Sequence, residues 1–479
     1  MARLALLAAM LCGCAQLFGL DETSGGGPQP TSLTIQRVSI GARVTYAPQD
    51  LAASKGTYLV PSATDPTGLT RVVAAQAEPG RWTAPITGSA PILFDLPDYP
   101  KPIQRIFDFP QAEVKALFGV MEHPSPQPAP AGAMITVNAT LDAAYTGAER
   151  FELYTLGTWN SIPLTPPAAG TLGPIAQTFA VTTMNSITGR PHERITSQDS
   201  VVVLRYVGNE LRGAFRAAPF DQTGADTIAG TMTTVTLQPF TFGIDPVDAT
   251  RRYGGVRPLV GTPILQWALR AAPGAQLNND NGPLLAAAAV AAPAMMVSSQ
   301  AGNPFEADWP STLTWTTQAS RTYTPPSAGL QATLLAGMTE RVPFAPGLQL
   351  KLPAGLPTRI TLAGMVLDSD GATLSKPVSA VEVSFTTDIA ANTLYQLQLF
   401  KLVPNAANTA LVLEQKLGAN GVAPRFVLPP ELFETDALYT LRAIAIQGGF
   451  PSIDAGDLTQ RAIPLATSFL DSGVFQVTP

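Results

Sequence analysis

The sequence feature that most constrains the fold is a repeated pattern of short segments in which apolar and polar residues alternate. Met134–Leu141 and Thr231–Leu237 alternate at a period of two, and Val201–Val207 is a nearly continuous apolar run. A period of two places successive side chains on opposite faces of a strand, whereas a helix needs a period near 3.6. The 45 prolines and 40 glycines favour turns over long helices. Short strands at this spacing predict β-sandwiches.

A hairpin is predicted in the middle of the chain. The run Val201–Val207 is followed by Gly208-Asn209, and a second run, Leu211–Phe215, follows the turn. A glycine-containing turn between two apolar runs is typical of antiparallel strands.

One segment has a different period. Val114, Leu117, Phe118 and Met121 lie at i, i+3, i+4 and i+7, just after Pro110. This spacing predicts an amphipathic helix near 111–121, about three turns long. The following proline-rich stretch to residue 130 predicts a stiff linker and a domain boundary.

The N-terminus has the pattern of an export signal. Arg3 precedes the apolar run Leu4–Leu11, which is shorter than the about 20 residues that a membrane span needs. The next residues, Leu11-Cys12-Gly13-Cys14, resemble the lipobox of bacterial lipoproteins. The resemblance implies that residues 1–13 are removed and that Cys14 carries lipid. An ordinary secretory signal with two incidental cysteines is the alternative.

This resemblance also implies where the protein is located. Residues 14–30 are glycine- and proline-containing and predict a lipidated, flexible tether. Both cysteines lie in the first 14 residues, so the exported domains would contain no disulfide. Ala15 stands where an aspartate would favour retention in the inner membrane, so the outer membrane or the cell surface is predicted. The predicted partners are the membrane, through the lipid on Cys14, and an unknown envelope protein or polysaccharide.

The remaining chain divides into four predicted β-rich domains, at 31–130, 131–238, 239–375 and 376–479. In the last domain, Val383–Thr386, Tyr395–Phe400 and Tyr439–Ala445 resemble the B, C and F strands of a fibronectin type III domain. The resemblance implies that Tyr439 is the tyrosine-corner residue, with its hydroxyl bonded to nearby backbone. The family's proline four residues before this tyrosine is absent here.

Composition excludes several classes of function. The formal charge of −6 excludes a generic electrostatic nucleic-acid binder, which needs a basic surface. Two histidines in the whole chain exclude a histidine-rich metal centre. Because nucleotide-binding, hydrolase and zinc motifs are also missing from the sequence, we predict no catalytic residue, no metal site and no cofactor.

Several residues are candidates for catalysis or metal binding. His123 and His192 lie in proline-containing segments, which are poor positions for a general base. Asp368 and Asp370 precede Gly371 and indicate a turn more than a calcium site. Two carboxylates can act on a glycosidic bond only if the fold holds them close together. The candidate pairs are Asp95 with Asp98, Glu431 with Glu434, and Asp454 with Asp457.

Tryptophans supply the predicted binding residue. Trp315 shares strand parity with Leu313 and is expected in the core. Core or hairpin packing is the favoured role of all five tryptophans, and Trp309, which precedes Pro310, is the one for which an exposed position stays open. An exposed tryptophan ring can stack on a ligand, so Trp309 is the candidate binding residue.

The sequence as a whole predicts an all-β protein. Tandem immunoglobulin-like or fibronectin type III-like sandwiches, with one short helix, would follow a signal peptide and a tether. The leading hypothesis for function is a lipid-anchored, non-enzymatic envelope protein that serves as a binding or structural module. The alternatives are a cell-surface carbohydrate-binding protein or an accessory to a polysaccharide hydrolase, and, third, an enzyme with carboxylate chemistry.

Overall fold

The structure is a computed structural model, in which almost all regular secondary structure is β-strand. It describes residues 31–40, 44–48, 55–61, 69–86, 90–96, 103–122, 128–155, 160–181, 185–186, 194–243, 264–271, 282–290, 296–305, 309–326, 329–350, 356–387, 393–460 and 462–479. The predicted signal peptide, the tether, Cys14, His123 and His192 lie outside these residues. The prediction of an all-β fold built from sandwiches is confirmed.

The first sandwich comes from nine strands: β1 (Thr31–Ile40), β2 (Val44–Pro48), β3 (Lys55–Pro61), β4 (Leu69–Val73), β5 (Ala75–Glu78), β6 (Arg81–Ala84), β7 (Ile92–Leu96), β8 (Ile103–Asp108) and β9 (Glu113–Glu122). One sheet has the order β2-β1-β6-β5, with β9 also paired to β1. The other runs β4-β3-β7-β8. Trp82 and Phe94 pack edge to face at 4.6 Å in the core.

The predicted helix near 111–121 is wrong, because this segment forms strand β9. It pairs in parallel with β1 from Ser32↔Glu113 onward. Val114 and Ala116 are buried and Lys115 between them is not, which is the alternation of a strand. The apolar residues fit both periods, and pairing with β1 satisfies the backbone groups of this segment.

The second sandwich contains β10 (Met134–Thr140), β11 (Glu149–Thr155), β12 (Asn160–Leu164), β13 (Ile175–Ala180), β14 (Asn185–Ser186), β15 (Val201–Val207), β16 (Glu210–Arg216), β17 (Ala225–Thr231) and β18 (Thr233–Thr234). Its sheets have the orders β13-β10-β17 and β14-β12-β11-β15-β16-β18. The predicted hairpin is confirmed as β15 and β16, which pair antiparallel around Gly208 in a left-handed conformation with a φ of 56°.

The third sandwich contains β19 (Gln238–Gly243), β20 (Ile264–Ala271), β21 (Leu284–Val290), β22 (Met296–Ala301), β23 (Ser311–Tyr323), β24 (Ala332–Pro343) and β25 (Leu348–Gln349). Its sheets are β22-β19-β25 and β21-β20-β23-β24. The core is aromatic: the Trp267 ring packs edge to face on Phe240 and Phe242 at 5.7 and 5.6 Å.

The last sandwich contains β26 (Thr358–Leu362), β27 (Met365–Val366), β28 (Ala372–Ser375), β29 (Val381–Thr386), β30 (Thr393–Pro404), β31 (Leu411–Gly421), β32 (Arg425–Leu428), β33 (Leu438–Gly448), β34 (Leu465–Asp471) and β35 (Phe475–Thr478). Two short 3₁₀ turns lie at Pro430–Leu432 and Ile453–Ala455. The sheet β27-β26-β29-β32 faces the sheet that includes β31-β30-β33-β34, which is an immunoglobulin-like arrangement.

Strand pairing crosses the domain boundaries that the sequence predicted. Strands β26 and β28 precede the predicted boundary at residue 376, and they pair with β29 and β35, which follow it. Strand β24 pairs with β34, and β8 of the first sandwich pairs in parallel with β31. One sheet of 14 strands therefore extends from the third sandwich through the last into the first.

A shared topological feature links the four sandwiches. In each, a strand from its N-terminal part pairs in parallel with one from its C-terminal part, as β1 with β9, β10 with β17, β19 with β25 and β28 with β35. This parallel pairing therefore occurs once in each of the four sandwiches.

Candidate functional site

The candidate site is an open cleft of about 1060 Å³ where the second and third sandwiches meet. One wall comes from the segment 231–236, at the end of the second sandwich. The other comes from 301–305, 310–311 and 343–346 of the third. Clefts at domain junctions are common places for ligand binding.

The first wall is a row of threonines. Strand β17 ends at Thr231, and the chain crosses to the other sheet, where β18 pairs with β16. Met232 is buried in the core of the second sandwich and Val235 in the core shared with the third. Because these two apolar residues point inward, Thr231, Thr233 and Thr236 are left exposed to the cleft.

A buried ion pair supports this wall. The Thr234 hydroxyl donates to Asp142 Oδ2 at 2.5 Å, and Asp142 Oδ1 lies 3.0 Å from Arg205 Nη1. The Asp142 and Arg205 side chains are both almost fully buried. A Cβ at Gly213 would lie 3.1 Å from Asp142 Oδ1, so glycine gives this carboxylate its space.

The second wall is largely proline and aromatic surface. Phe344 packs edge to face on buried Phe240 at 5.0 Å. The prolines that line the wall are Pro239, Pro304, Pro310, Pro343 and Pro346. Proline has no N–H, so this wall offers few backbone hydrogen-bond donors.

Asn303 holds the loop of the second wall in place. Its Oδ1 accepts from the Phe305 N–H at 2.9 Å. Its Nδ2 donates to the Trp309 carbonyl at 2.7 Å and to Ser311 Oγ at 3.0 Å. The Asn303 amide is therefore a structural element of the wall.

The two sandwiches meet in close contact at the base of the cleft. A Cβ on Gly302 would lie 2.3 Å from the Thr236 carbonyl oxygen, so only glycine allows this approach. Nearby, the Val235 N–H donates to the Arg212 carbonyl at 2.9 Å. The outer face of the second sandwich, including Leu211 and Ala214, belongs to the same core as the third. This contact holds the two walls of the cleft in position.

Trp309 has the packed position favoured for all five tryptophans and is not the exposed binding residue that the sequence left open. It is only 1 % exposed, so its ring cannot serve as an open stacking surface. The ring lies 4.8 Å from that of Phe305 and 4.9 Å from the Arg216 guanidinium, and both of these residues line the cleft. Trp309 thus supports the cleft from beneath, because burying its large ring against these neighbours outweighs exposing it beside Pro310.

Trp315 is in the core, as predicted. It is fully buried, and its Nε1–H donates to Glu340 Oε2 at 2.7 Å. Burial raises the pKa of the Glu340 carboxyl, and the hydrogen bond from Trp315 opposes that rise.

Three of the described candidate carboxylates, Glu431, Glu434 and Asp457, bind donor groups. Glu431 pairs with Arg71 and Glu434 with Lys401. The hydrogen bond from Lys401 holds the pKa of Glu434 below its ordinary value, and partial burial opposes this. Asp457 accepts from the backbone and hydroxyl of Thr459.

Asp95 and Asp370 also bind donor groups. Asp95 accepts from Gln104 at 2.7 Å, whereas its predicted partner Asp98 lies outside the described residues. Asp370 binds Arg321 through both carboxylate oxygens and accepts from the Val474 N–H, next to the turn at Gly371. Among the residues the structure describes, no group of three or more metal-ligating side chains is present.

Tyr439 has the contacts that the fibronectin type III resemblance implied. Its hydroxyl accepts from the Glu434 N–H at 2.9 Å and donates to the Leu432 carbonyl at 3.2 Å. The role of this contact is to fix the turn before β33.

The cleft itself was not predicted from the sequence. Its one sequence signal is the threonine-rich run 231–236, which reads as an ordinary alternating strand. Its other components come from segments far apart in the chain.

No protein-family model and no curated protein matches the chain. Among solved structures, a point mutant of Salmonella alpha-2-macroglobulin is similar over 93 % of this chain and 29 % of its own, with 10 % identity and a TM-score of 0.12. The same Salmonella protein after reaction with methylamine gives the same values. The chain spans less than a third of these structures, and the all-β assignment rests on strand pairing alone. No helix in the described ranges is long and apolar enough to cross a membrane.

Proposed function

We propose that this protein is exported, is anchored by lipid on Cys14 at the outer membrane or cell surface, and acts there as a non-catalytic binding or structural module. The cleft between the second and third sandwiches is its proposed binding surface. The observation that carries the proposal is the preformed junction of these sandwiches, closed by Gly302 against Thr236 and lined by exposed threonines.

The sequence of the first residues supports the anchor. The order of Arg3, the apolar run and Cys14 is that of a lipoprotein signal. Two or more acyl chains hold a protein on a membrane stably, because each buried CH₂ contributes about 0.8 kcal/mol. Residues 14–30 would separate the sandwiches from the bilayer.

The nature of the cleft supports binding over chemistry. Its walls offer hydroxyls, proline rings and aromatic rings, which suits recognition of a ligand. The described carboxylates that were candidates for acid–base chemistry instead bind arginine, lysine, backbone or side-chain donors elsewhere.

Detergent partitioning of the full chain tests the anchor. Cys14→Ala is expected to move the protein from the membrane fraction to the aqueous fraction. Cys12→Ala is the matched control, because Cys12 would leave with the signal peptide and its loss should change nothing. Unchanged partitioning of the Cys14→Ala variant contradicts the anchor.

Capture from envelope extracts tests the binding surface. Thr233→Arg places a long charged side chain in the cleft and is expected to abolish capture of the partner. Thr227→Arg is the control, because Thr227 is an equally exposed threonine on β17 outside the cleft. Equal capture by the two variants would assign binding to another surface.

A further inference from the structure

We infer that the protein forms a two-fold symmetric dimer through strand β4, which continues the 14-stranded sheet into a second copy of the chain. The inference is independent of the lipid anchor and of the cleft. Three observations carry it: β4 ends the sheet, its outward backbone groups can pair with those of a second copy, and its side chains are compatible with that pairing.

The β4 edge is open. Within the described residues, β4 is one end of the 14-stranded sheet and β21 is the other, and β21 lies beside β16 of the second sandwich. In β4, Thr70, Arg71 and Val73 are exposed, Val73 to 73 %. The strand has no proline or lysine and pairs with β3 without a bulge, so it lacks the features that commonly block an edge.

The outward backbone groups of β4 follow from its pairing with β3. The Ala74 N–H donates to the Gly56 carbonyl at 2.9 Å, so alternate residues counted back from Ala74 bond to β3 in this antiparallel ladder. The residues between them, Leu69, Arg71 and Val73, direct their N–H and C=O groups away from the sheet. An edge of this kind is a template for another strand.

This outward set is complementary to itself. If a second β4 pairs antiparallel about an axis at Arg71, each Arg71 faces Arg71 of the other copy and each Leu69 faces Val73. Every such pair joins outward groups on both strands and exchanges two hydrogen bonds. The pairing also sets the exposed Val73 against Leu69 of the second copy, whose own side chain already packs partly against the core.

The charges at the axis are compatible with this pairing. Two arginines directly opposite each other would repel if they were bare. Each Arg71, however, already forms an ion pair with Glu431 of its own last sandwich. The axis therefore brings together two positive and two negative side chains, whose charges sum to zero.

A closed dimer is favoured over a head-to-tail array. A head-to-tail contact would have to join the β4 edge to a different surface, and the other end of the same sheet, β21, lies beside β16. Pairing about a two-fold axis uses the same edge on both copies and leaves neither of them open. The second copy is therefore the occupant of this edge.

A cysteine placed on the axis tests the register. The full chain with Cys12→Ala and Cys14→Ala has no other thiol. Hydrogen-bonded antiparallel partners have Cα atoms about 5.5 Å apart, which a disulfide can bridge. With Arg71→Cys, oxidation should give a species of twice the monomer mass of 50.2 kDa on a non-reducing gel.

Val73→Cys is the matched control for this experiment. In the same dimer the two cysteines at position 73 would be about 13 Å apart, because four residues separate them along the strands. This variant should stay monomeric on the gel. No cross-link with Arg71→Cys, or equal cross-linking of the two variants, would overturn the pairing.

Sedimentation of the cysteine-free full chain measures the dimer without a cross-link. It should show a dimer whose fraction rises with concentration. Val73→Lys removes an apolar contact at each end of the pairing and adds charge to the edge, so it should weaken dimerisation at least about tenfold. Val378→Lys is the control, because it adds the same charge at a valine that is 96 % exposed in the last sandwich.

The Val378→Lys variant should dimerise like the unmodified chain, and equal melting temperatures check that both variants are folded. A monomer at all concentrations, or equal dimerisation of the Val73→Lys and Val378→Lys variants, would overturn the inference.

Discussion

The second and the last sandwich are built from similar strands but are connected to the molecule differently. All sheet pairings of the second sandwich lie within residues 134–234, and its core cluster lies within 133–232. The last sandwich shares hydrogen-bonded strands with both the third and the first. A sandwich of this class can therefore form a unit with its own sheets or the centre of a larger sheet.

The difference has an energetic consequence. A sheet edge left unpaired exposes backbone groups, whereas pairing across sandwiches satisfies them and couples their unfolding. We expect the first, third and last sandwiches to unfold together and the second to unfold as a separate unit. In the part of the chain that the structure describes, no strand of the second sandwich pairs with a strand of another, and apolar contacts join it to the third.

Two buried ion pairs allow this comparison to be tested. In the last sandwich, Asp471 is 1 % exposed, binds Arg442 through both oxygens and accepts from the Leu335 N–H of β24. In the second, Asp142 binds Arg205. Asp471 therefore joins the last sandwich to the third through the Leu335 N–H, whereas the Asp142–Arg205 pair lies inside one sandwich.

The largest effect is expected for Asp471→Ala. Leaving Arg442 without its partner should reduce the free energy of unfolding by about 3–5 kcal/mol. Calorimetry should show a lower melting temperature for the transition of the three coupled sandwiches. Asp142→Ala is the control, because it should lower the transition of the second sandwich only. A single transition that shifts equally in both variants would contradict the division.

A smaller effect is expected at two buried tyrosines, one in each sandwich. Tyr439→Phe leaves the Glu434 N–H and the Leu432 carbonyl without their partner, which should cost about 1–3 kcal/mol. Tyr154 is also buried, but its hydroxyl has no hydrogen-bond partner among the described residues. Tyr154→Phe should therefore leave stability unchanged or raise it, as measured by urea unfolding. A comparable loss in both variants would contradict the role of the tyrosine corner.

The smallest effect is a pH dependence at Glu340 in the third sandwich. Burial raises the pKa of Glu340 in the folded state, so the folded protein binds this proton more tightly than the unfolded chain. Stability should thus fall as the pH rises from about 4.3, the ordinary glutamate value, through the raised folded pKa.

Glu340→Gln tests this pH dependence. It retains an acceptor for the Trp315 N–H and should remove the fall, making the variant more stable than the unmodified protein at pH 7 and similar to it at pH 3.5. Urea unfolding across this range measures the difference, and the transition of the second sandwich is the internal control. Parallel pH curves for the two proteins would contradict the assignment.

The sequence predicted local structure better than assembly. The hairpin around Gly208 and the core position of Trp315 follow from alternation and turn chemistry. Strand β9 was mistaken for a helix because its apolar residues fit both periods, and its parallel partner β1 is about 80 residues away. Pairing between distant strands leaves no local signal, so the 14-stranded sheet could not be predicted.

The cleft was missed for the same reason. Its walls come from residues 231–236, 301–305, 310–311 and 343–346, which no local pattern joins. Pro310 after Trp309 leaves open whether this ring is exposed, and in the structure the ring packs against Phe305 and Arg216. Burial of a single aromatic residue depends on the packing of whole sandwiches.

Native-state hydrogen exchange of the full chain at increasing urea tests the central division most directly. The amides of β10–β17 should exchange with one denaturant dependence. Those of β8, β24, β31 and β34, which lie in three different sandwiches, should share another. A common dependence for all these strands, or separate dependences for β8 and β31, would contradict a self-contained second sandwich beside three coupled ones.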